Sequence, residues 1–493
     1  MKPRRFLTPL IIFILLVTGL FRNVCASDEN AAEDLIRRYK QETKCECVSV
    51  VVFENGAVTY YGDSGKLFQI GSMTKAFTGL AVQKLINEGL INEDAAVSDY
   101  IPGFEAFYDS ERVDITVRNL LEQKSGYTNN EKDYPSASET MTLSEWTESI
   151  SGRELKSKPG TEYAYSNVNF NLLGRIIENV SGMSYRDYME QEILVPLGLK
   201  NTFVGMPAKR SIERGDAADC NIVNDNDANG SIAEGGTANG GIADVSITDG
   251  GFPEVSIAEG TRLGYRHVFD FPIAVREATI PAGYFYSNTE DMGRWIEIWT
   301  GSGDLPDDYR EALSKIKECL KEEGDYYSGW ELFADGVIGH SGGTPNYSSR
   351  IVFDEKTQTG VCVLCNLNVA ASTDSLCNSI MDVVSGKAPG GLSKDIWTIF
   401  DLIFTAVTVM GILLLVLALI LKTKLLLIFL DVILAVLLAL VFILFPMIFG
   451  AGMKEILFTW APWSLTGGLL SLIADICVAT VKLVIVTRSH GSQ

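Results

Sequence analysis

The sequence predicts an α+β domain followed by three membrane-spanning helices. Strand-like runs stand at both ends of residues 27–385, and helical patterns fill the middle. A chain of that order closes into an antiparallel sheet flanked by helices, with an inserted helical subdomain. After the Gly- and Pro-rich linker 386–396 the composition turns apolar in three runs of roughly 20–25 residues, each long enough to cross a ~30 Å hydrocarbon core as a helix.

The elements follow in order. Residues 1–26 read as a secretory signal: Lys2, Arg4 and Arg5, then the apolar run 10–17, then Val24-Cys25-Ala26 as the cleavage site. An uncleaved anchor is the alternative. A helix is expected from Ala32 to Gln41. Val48–Phe53 and Ala57–Tyr61, joined by Glu54-Asn55-Gly56, form a hairpin. Helices are expected over 111–123 and 167–180. Arg350–Phe353 and Gly360–Cys365 read as strands, and Ser372–Val384 as a closing helix. Residues 215–260 hold no Lys or Arg, and Ser231-Ile232-Ala233-Glu234-Gly235 recurs there as Ser256-Ile257-Ala258-Glu259-Gly260. This stretch reads as an acidic, low-complexity surface insertion.

The formal net charge of −21 leaves no basic stripe to neutralise phosphates, so nucleic acid is excluded as a partner. Of nine cysteines, Cys362 and Cys365 sit on one predicted strand, whose odd spacing sends their sulfurs to opposite faces. Buried free thiols are expected, and no pairing is assigned among Cys45, Cys47, Cys220 and Cys319.

The spans are expected at about 397–421, 425–449 and 464–487, with a tail at 488–493. Lys422 and Lys424 lie in the first turn, and Lys482 and Arg488 end the third span, so the positive-inside rule places the segment before Trp397 outside. The signal segment says the same. Trp397, Trp460 and Trp463 then mark the outer boundary. Asp475, inside the third span, reads either as a functional group or as a structural one facing another helix, with Lys482 two turns away.

The chemistry starts at Ser72-Met73-Thr74-Lys75. These residues follow the apolar run Leu67–Ile70 and a glycine, and they open the amphipathic segment Ala76–Ile86. Positions three apart share a helix face, so Lys75 lies beside the Ser72 hydroxyl. A serine next to an amine in a dehydrated pocket is a nucleophile with its base in place. The chain has three histidines, His267, His340 and His490, and no G-x-S-x-G elbow or H-E-x-x-H pair. No metal or cofactor is expected, and if the domain is a hydrolase, proton transfer falls to lysine or tyrosine.

Further along, Tyr163-Ala164-Tyr165-Ser166-Asn167 precedes a helix that Ser166 can cap, and Gly339-His340-Ser341-Gly342-Gly343-Thr344 precedes a strand. In this order, the motifs resemble those of the β-lactamase and penicillin-binding protein superfamily, on the side of class C β-lactamases and D-alanyl carboxypeptidases. The resemblance runs from about Val48 to Val384. It includes Ile115–Leu121 before Ser125-Gly126, and Pro281-Ala282-Gly283 before Tyr286–Met292, where Ser287 and Glu290 read as a capping box.

The resemblance implies a β-lactamase/transpeptidase-like fold and an acyl-enzyme on Ser72. Lys75 and Tyr165 would manage its proton, and Asn167 would hydrogen-bond the substrate amide. His340 stands where relatives often carry lysine, to orient Tyr165 or a substrate carboxylate. The backbone N–H groups of Ser72 and Gly343, next to Gly342, would form the oxyanion hole. Burial against Phe77 would depress the Lys75 pKa.

More narrowly, an exported domain followed by three spans is similar to the prodrug-activating peptidases that remove an N-acyl-D-asparagine cap. Gly71–Gly79, Asp291-Met292 with Trp295, and Pro345–Ser349 fit that group. Tyr286 stands where that group reads D-asparagine with a histidine, so the D-asparagine preference does not carry over. The expected function is hydrolysis of an amide next to a D-amino acid in a peptide or acylated peptide, at a membrane. The alternatives are a carboxypeptidase or esterase acting on cell-wall precursors, and a catalytically idle β-lactam sensor or scaffold. A membrane partner such as a transporter is left open.

Overall fold

The computed structural model describes residues 28–129, 137–207, 256–333, 335–421 and 423–490. The signal segment 1–26, the insertion up to residue 255 and Lys422 lie outside the described residues. Helix α1 (Asp28–Thr43) leads into the hairpin β1 (Val48–Glu54) and β2 (Ala57–Tyr61), closed by Asn55-Gly56 with both residues at positive φ. Strand β3 (Phe68–Gln69) is followed by a single 3-10 turn, Gly71–Met73, and by helix α2 (Thr74–Asn87). Helices α3 (Val117–Leu121) and α4 (Asn167–Ser181) belong to the inserted helical region. The chain returns through the hairpin β4 (Thr261–Gly264) and β5 (His267–Asp270), then β6 (Tyr286–Ser287), α5 (Thr289–Thr300) and α6 (Asp307–Glu323). It ends the domain with β7 (Tyr326–Tyr327), β8 (Trp330–Leu332), β9 (Ile338–Thr344), β10 (Tyr347–Asp354), β11 (Thr359–Cys365) and helix α7 (Ala370–Val384).

The terminal strands meet, as expected, in one seven-stranded antiparallel sheet of order β7-β8-β9-β10-β11-β1-β2. Period-two alternation divides its side chains between two cores. Val51, Phe53, Ile351 and Leu364 face the helical region, while Val50, Val52, Val361 and Val363 face α1 and α7. Cys362 and Cys365 fall in the two separate cores, and the seven cysteines among the described residues are free. An aromatic stack ties α2 to the sheet: Phe77 lies parallel on Trp295 at 4.1 Å, and Trp330 meets Phe353 edge-on at 5.1 Å. Such pairs add about 0.5–1.5 kcal/mol each to the burial of the rings.

Four local expectations are corrected. The helix expected at 111–123 is a strand, Glu111–Val113, followed by the short α3, because Asp109 and Ser110 at positive φ turn the chain back onto Ala106–Tyr108. Asn288, not Ser287, caps α5 by accepting from Asp291 N, since Ser287 lies in β6 and its hydroxyl meets Thr202. Helix α2 is not amphipathic in its setting: every residue from Thr74 to Leu85 is buried, because other helices cover the face away from the sheet. Ser256–Gly260 is no surface insertion. Leu67 N donates to Ser256 O, and Ala258 is buried.

Among the described residues, three helices are long and apolar enough to cross a membrane: α8 (Ile396–Ile420), α9 (Lys424–Phe449) and α10 (Trp463–His490). Small residues let α8 and α10 approach closely, as a Cβ on Gly411 would fall 2.5 Å from Ser471 Oγ. Asp475 is buried in this contact, its carboxylate oxygens without a hydrogen-bond partner among the described residues, so it faces a neighbouring helix but does not pair with Lys482.

The β4–β5 hairpin docks the domain on the bundle. Arg266 N donates to Asp401 at 2.9 Å, and Ser464 donates to the same carboxylate at 2.8 Å. Arg262 donates to the carbonyls of Leu457, Phe458 and Ala461 and lies 4.1 Å over the Trp463 ring. The docked end is the one where Trp397, Trp460 and Trp463 gather.

Candidate active site

Ser72 is held at the junction of β3 and α2 by close approaches that only glycine allows. Gly71 has φ +52°, and a Cβ there would fall 2.5 Å from Gly343 N. A Cβ on Gly342 would fall 2.1 Å from Ile70 O. The Ser72 turn is thereby laid against the end of β9, which brings together two segments some 270 residues apart in sequence.

Lys75, on the first turn of α2, is fully buried. Its Nζ lies 3.0 Å from Ser72 Oγ, 2.6 Å from Asn167 Oδ1 and 2.6 Å from the carbonyl oxygen of Ala282. That carbonyl is aimed by Thr74 and Thr78, which bond Phe285 N and Pro281 O on either side of it. Desolvation holds the amine well below the usual lysine range. The rings beside it are Tyr165, at 4.9 Å, and Phe170, at 5.7 Å. The expected neighbour Phe77 turns away, onto Trp295.

Tyr165 precedes α4, whose N-cap is Ser166 as expected, its hydroxyl accepting from Val168 N. Burial raises the Tyr165 phenol well above its ordinary pKa, against the opposing effect of its hydrogen bond with Ser72. Asn167 spends its side-chain oxygen on Lys75, which leaves the amide N–H₂ as the group to meet a substrate carbonyl. Its backbone N–H bonds Asn129 at 2.8 Å.

His340 sits on the same face of β9 as Ile338 and Gly342, with its ring 6.1 Å from that of Tyr165. Its Nδ1 lies 2.6 Å from the Ser341 carbonyl, which can only accept, so Nδ1 carries the proton and Nε2 is a buried acceptor with no partner among the described residues. Burial, reinforced by Lys75, lowers its pKa to about 3. A neutral ring presenting an acceptor has no charge to offer a carboxylate, so of the two expected roles only the orienting one keeps its chemistry.

Ser72, Lys75, Tyr165, Asn167, His340, Gly342 and Gly343 are therefore gathered at one site. Sequence reading missed the Ala282 carbonyl, since a main-chain oxygen leaves no residue signature. It also missed Tyr326, which lies edge-on to both Tyr165 and His340 and belongs to no motif.

The layout of sheet, helical region and site is that of the β-lactamase/transpeptidase fold. The chain superposes on a penicillin-binding protein homologue from Pyrococcus abyssi with a TM-score of 0.55 at 19% identity, over 77% of this chain and 81% of that one. It superposes on a β-lactamase/D-alanine carboxypeptidase from Pseudomonas syringae with a TM-score of 0.54 at 15% identity, over 74% of this chain and all of that one. Residues 32–382 match the Beta-lactamase family, and the chain belongs to that family of serine hydrolases. In sequence it is 30% identical over 313 residues to Protein flp of Staphylococcus aureus, over 61% of this chain and 53% of the relative. The chain thus spans about half the length of that relative.

Proposed function

We propose that the protein is a membrane-anchored serine hydrolase that cleaves an amide next to a D-amino acid, in a peptide or acylated peptide, through an acyl-enzyme on Ser72. The observation that carries this reading is the set of acceptors around Lys75. A neutral amine has two hydrogens and one lone pair. Asn167 Oδ1 and the Ala282 carbonyl, both at 2.6 Å, take the two hydrogens. The lone pair is left facing the Ser72 hydroxyl at 3.0 Å. Desolvation favours that neutral form, so Lys75 is the base.

Ser72 Oγ attacks the carbonyl carbon as its proton passes to Lys75 Nζ. The N–H groups of Ser72 and Gly343 take the developing oxyanion, each worth about 3–4 kcal/mol. Tyr165, kept as a phenol by burial, gives its proton to the leaving amine, and the proton held on Lys75 restores it. Water then hydrolyses the Ser72 ester with the same two groups. The Asn167 amide N–H₂ orients the substrate's own amide carbonyl. At the position where a histidine would read D-asparagine, Tyr286 is buried and bonded to Gln69 at 3.3 Å, so the D-residue need not be asparagine.

The three apolar helices would anchor the enzyme, with the catalytic domain outside. Likeness to a β-lactamase/D-alanine carboxypeptidase favours, as a second reading, a DD-carboxypeptidase acting on cell-wall precursors. The test is labelling of the full-length protein with a fluorophosphonate and a fluorescent β-lactam, then cleavage of a panel of N-acyl-D-aminoacyl amides and D-alanyl-D-alanine peptides. Wild type should label and Ser72→Ala should not. Equal labelling of the two would leave an idle scaffold.

A further inference from the structure

We infer that Gln123 is a positioning residue for Tyr165, an inference that rests on Tyr165 being the proton carrier proposed above. Gln123 ends helix α3 in a Schellman arrangement. Lys124 N donates to Asn119 O at 2.8 Å, and Gln123 N donates to Leu120 O at 3.2 Å. The residue in that place is left-handed, and Gln123 has φ +60°. Glycine is the usual occupant, because a side chain there costs about 1–2 kcal/mol. A residue that only ended the helix would have no use for a glutamine side chain, yet this one is completely buried.

The side chain is spent on the Tyr165 segment. The Gln123 backbone carbonyl accepts the N–H of Ala164 at 2.8 Å. Its side-chain Oε1 accepts the N–H of Ser166 at 2.9 Å, and also the side-chain amide of Asn169 in the first turn of α4. Both neighbours of Tyr165 are therefore bonded to one residue, which fixes the direction in which the phenol leaves the backbone. The Tyr326 ring meets Tyr165 at 6.2 Å and 87°, and His340 at 5.9 Å and 71°. One strained, buried glutamine thus holds the backbone on both sides of Tyr165.

The test measures the rate at which the full-length protein cleaves the N-acyl-D-aminoacyl amide or D-alanyl-D-alanine peptide that wild type turns over, since there Tyr165 must protonate the leaving amine, below the thermal midpoint of each variant. Gln123→Gly suits the left-handed backbone but removes Oε1. It should cleave about tenfold to a hundredfold more slowly, the range expected when a catalytic group is misplaced. Gln123→Glu, which keeps an acceptor oxygen, should recover most of the rate. If the glycine variant does not fold, Gln123→Asn takes its place, since asparagine tolerates the left-handed backbone but its amide is one methylene too short. Combined with Tyr165→Phe, the loss should not add, because both changes remove the same positioned hydroxyl. A wild-type rate in folded Gln123→Gly, or fully additive losses, overturns the inference alone. A wild type that cleaves none of these substrates overturns the hydrolase reading, and this inference with it.

Discussion

Lys75 offers the sharpest prediction, because one substitution should move activity and stability in opposite directions. Lys75→Met keeps the length of the side chain and removes the amine. The variant loses the base for Ser72, a contribution of about 10²–10⁴ in rate, or about 3–5 kcal/mol of barrier. Fluorophosphonate labelling of Ser72 should slow by that factor.

Stability should respond the other way. The folded pKa of Lys75 is depressed by desolvation, so between that pKa and the ordinary lysine value the unfolded chain binds one more proton than the folded one. Wild-type stability therefore rises with pH across that window, by up to about 1.4 kcal/mol per unit. At neutral pH the buried amine works against folding. Lys75→Met should accordingly unfold at a higher temperature than wild type at pH 7, with the difference shrinking towards pH 10. Thermal unfolding of the full-length protein across that range reads both effects. A variant that labels at the wild-type rate, or a stability difference that does not change with pH, would refute the neutral-base argument.

Two further outcomes follow from the site. Gly71→Ala should lose labelling and at least about 1–2 kcal/mol of stability, because it forces a side chain into a left-handed backbone and a Cβ to 2.5 Å from Gly343 N. A thermal midpoint equal to wild type would contradict the close approach. His340, with a pKa of about 3 against about 6.5 unfolded, contributes stability that is fully present above pH 6.5 and is lost as pH falls towards 3. Between pH 7 and pH 5 the wild-type thermal midpoint should thus fall more than that of His340→Asn, and parallel curves would show that His340 is not held neutral.

Short-range patterns were legible in the sequence because they are local physics. The hairpin at Asn55-Gly56, the Ser166 cap and the three apolar spans appear close to where the residues place them. The Ser72–Lys75 pair was legible for the same reason, since three-residue spacing sets two groups side by side whatever surrounds them. What the tertiary structure decided is the state of those groups. The neutral form of Lys75 depends on oxygens from Asn167 and Ala282, 92 and 207 residues away, and on a helix buried on every side. The strand at Glu111–Val113 and the shift of the α5 cap to Asn288 likewise follow from partners, Ala106–Tyr108 and Thr202, that no local window contains. Spacing determines which side chains are neighbours; desolvation and the supply of acceptors, which only packing provides, determine what those neighbours can do.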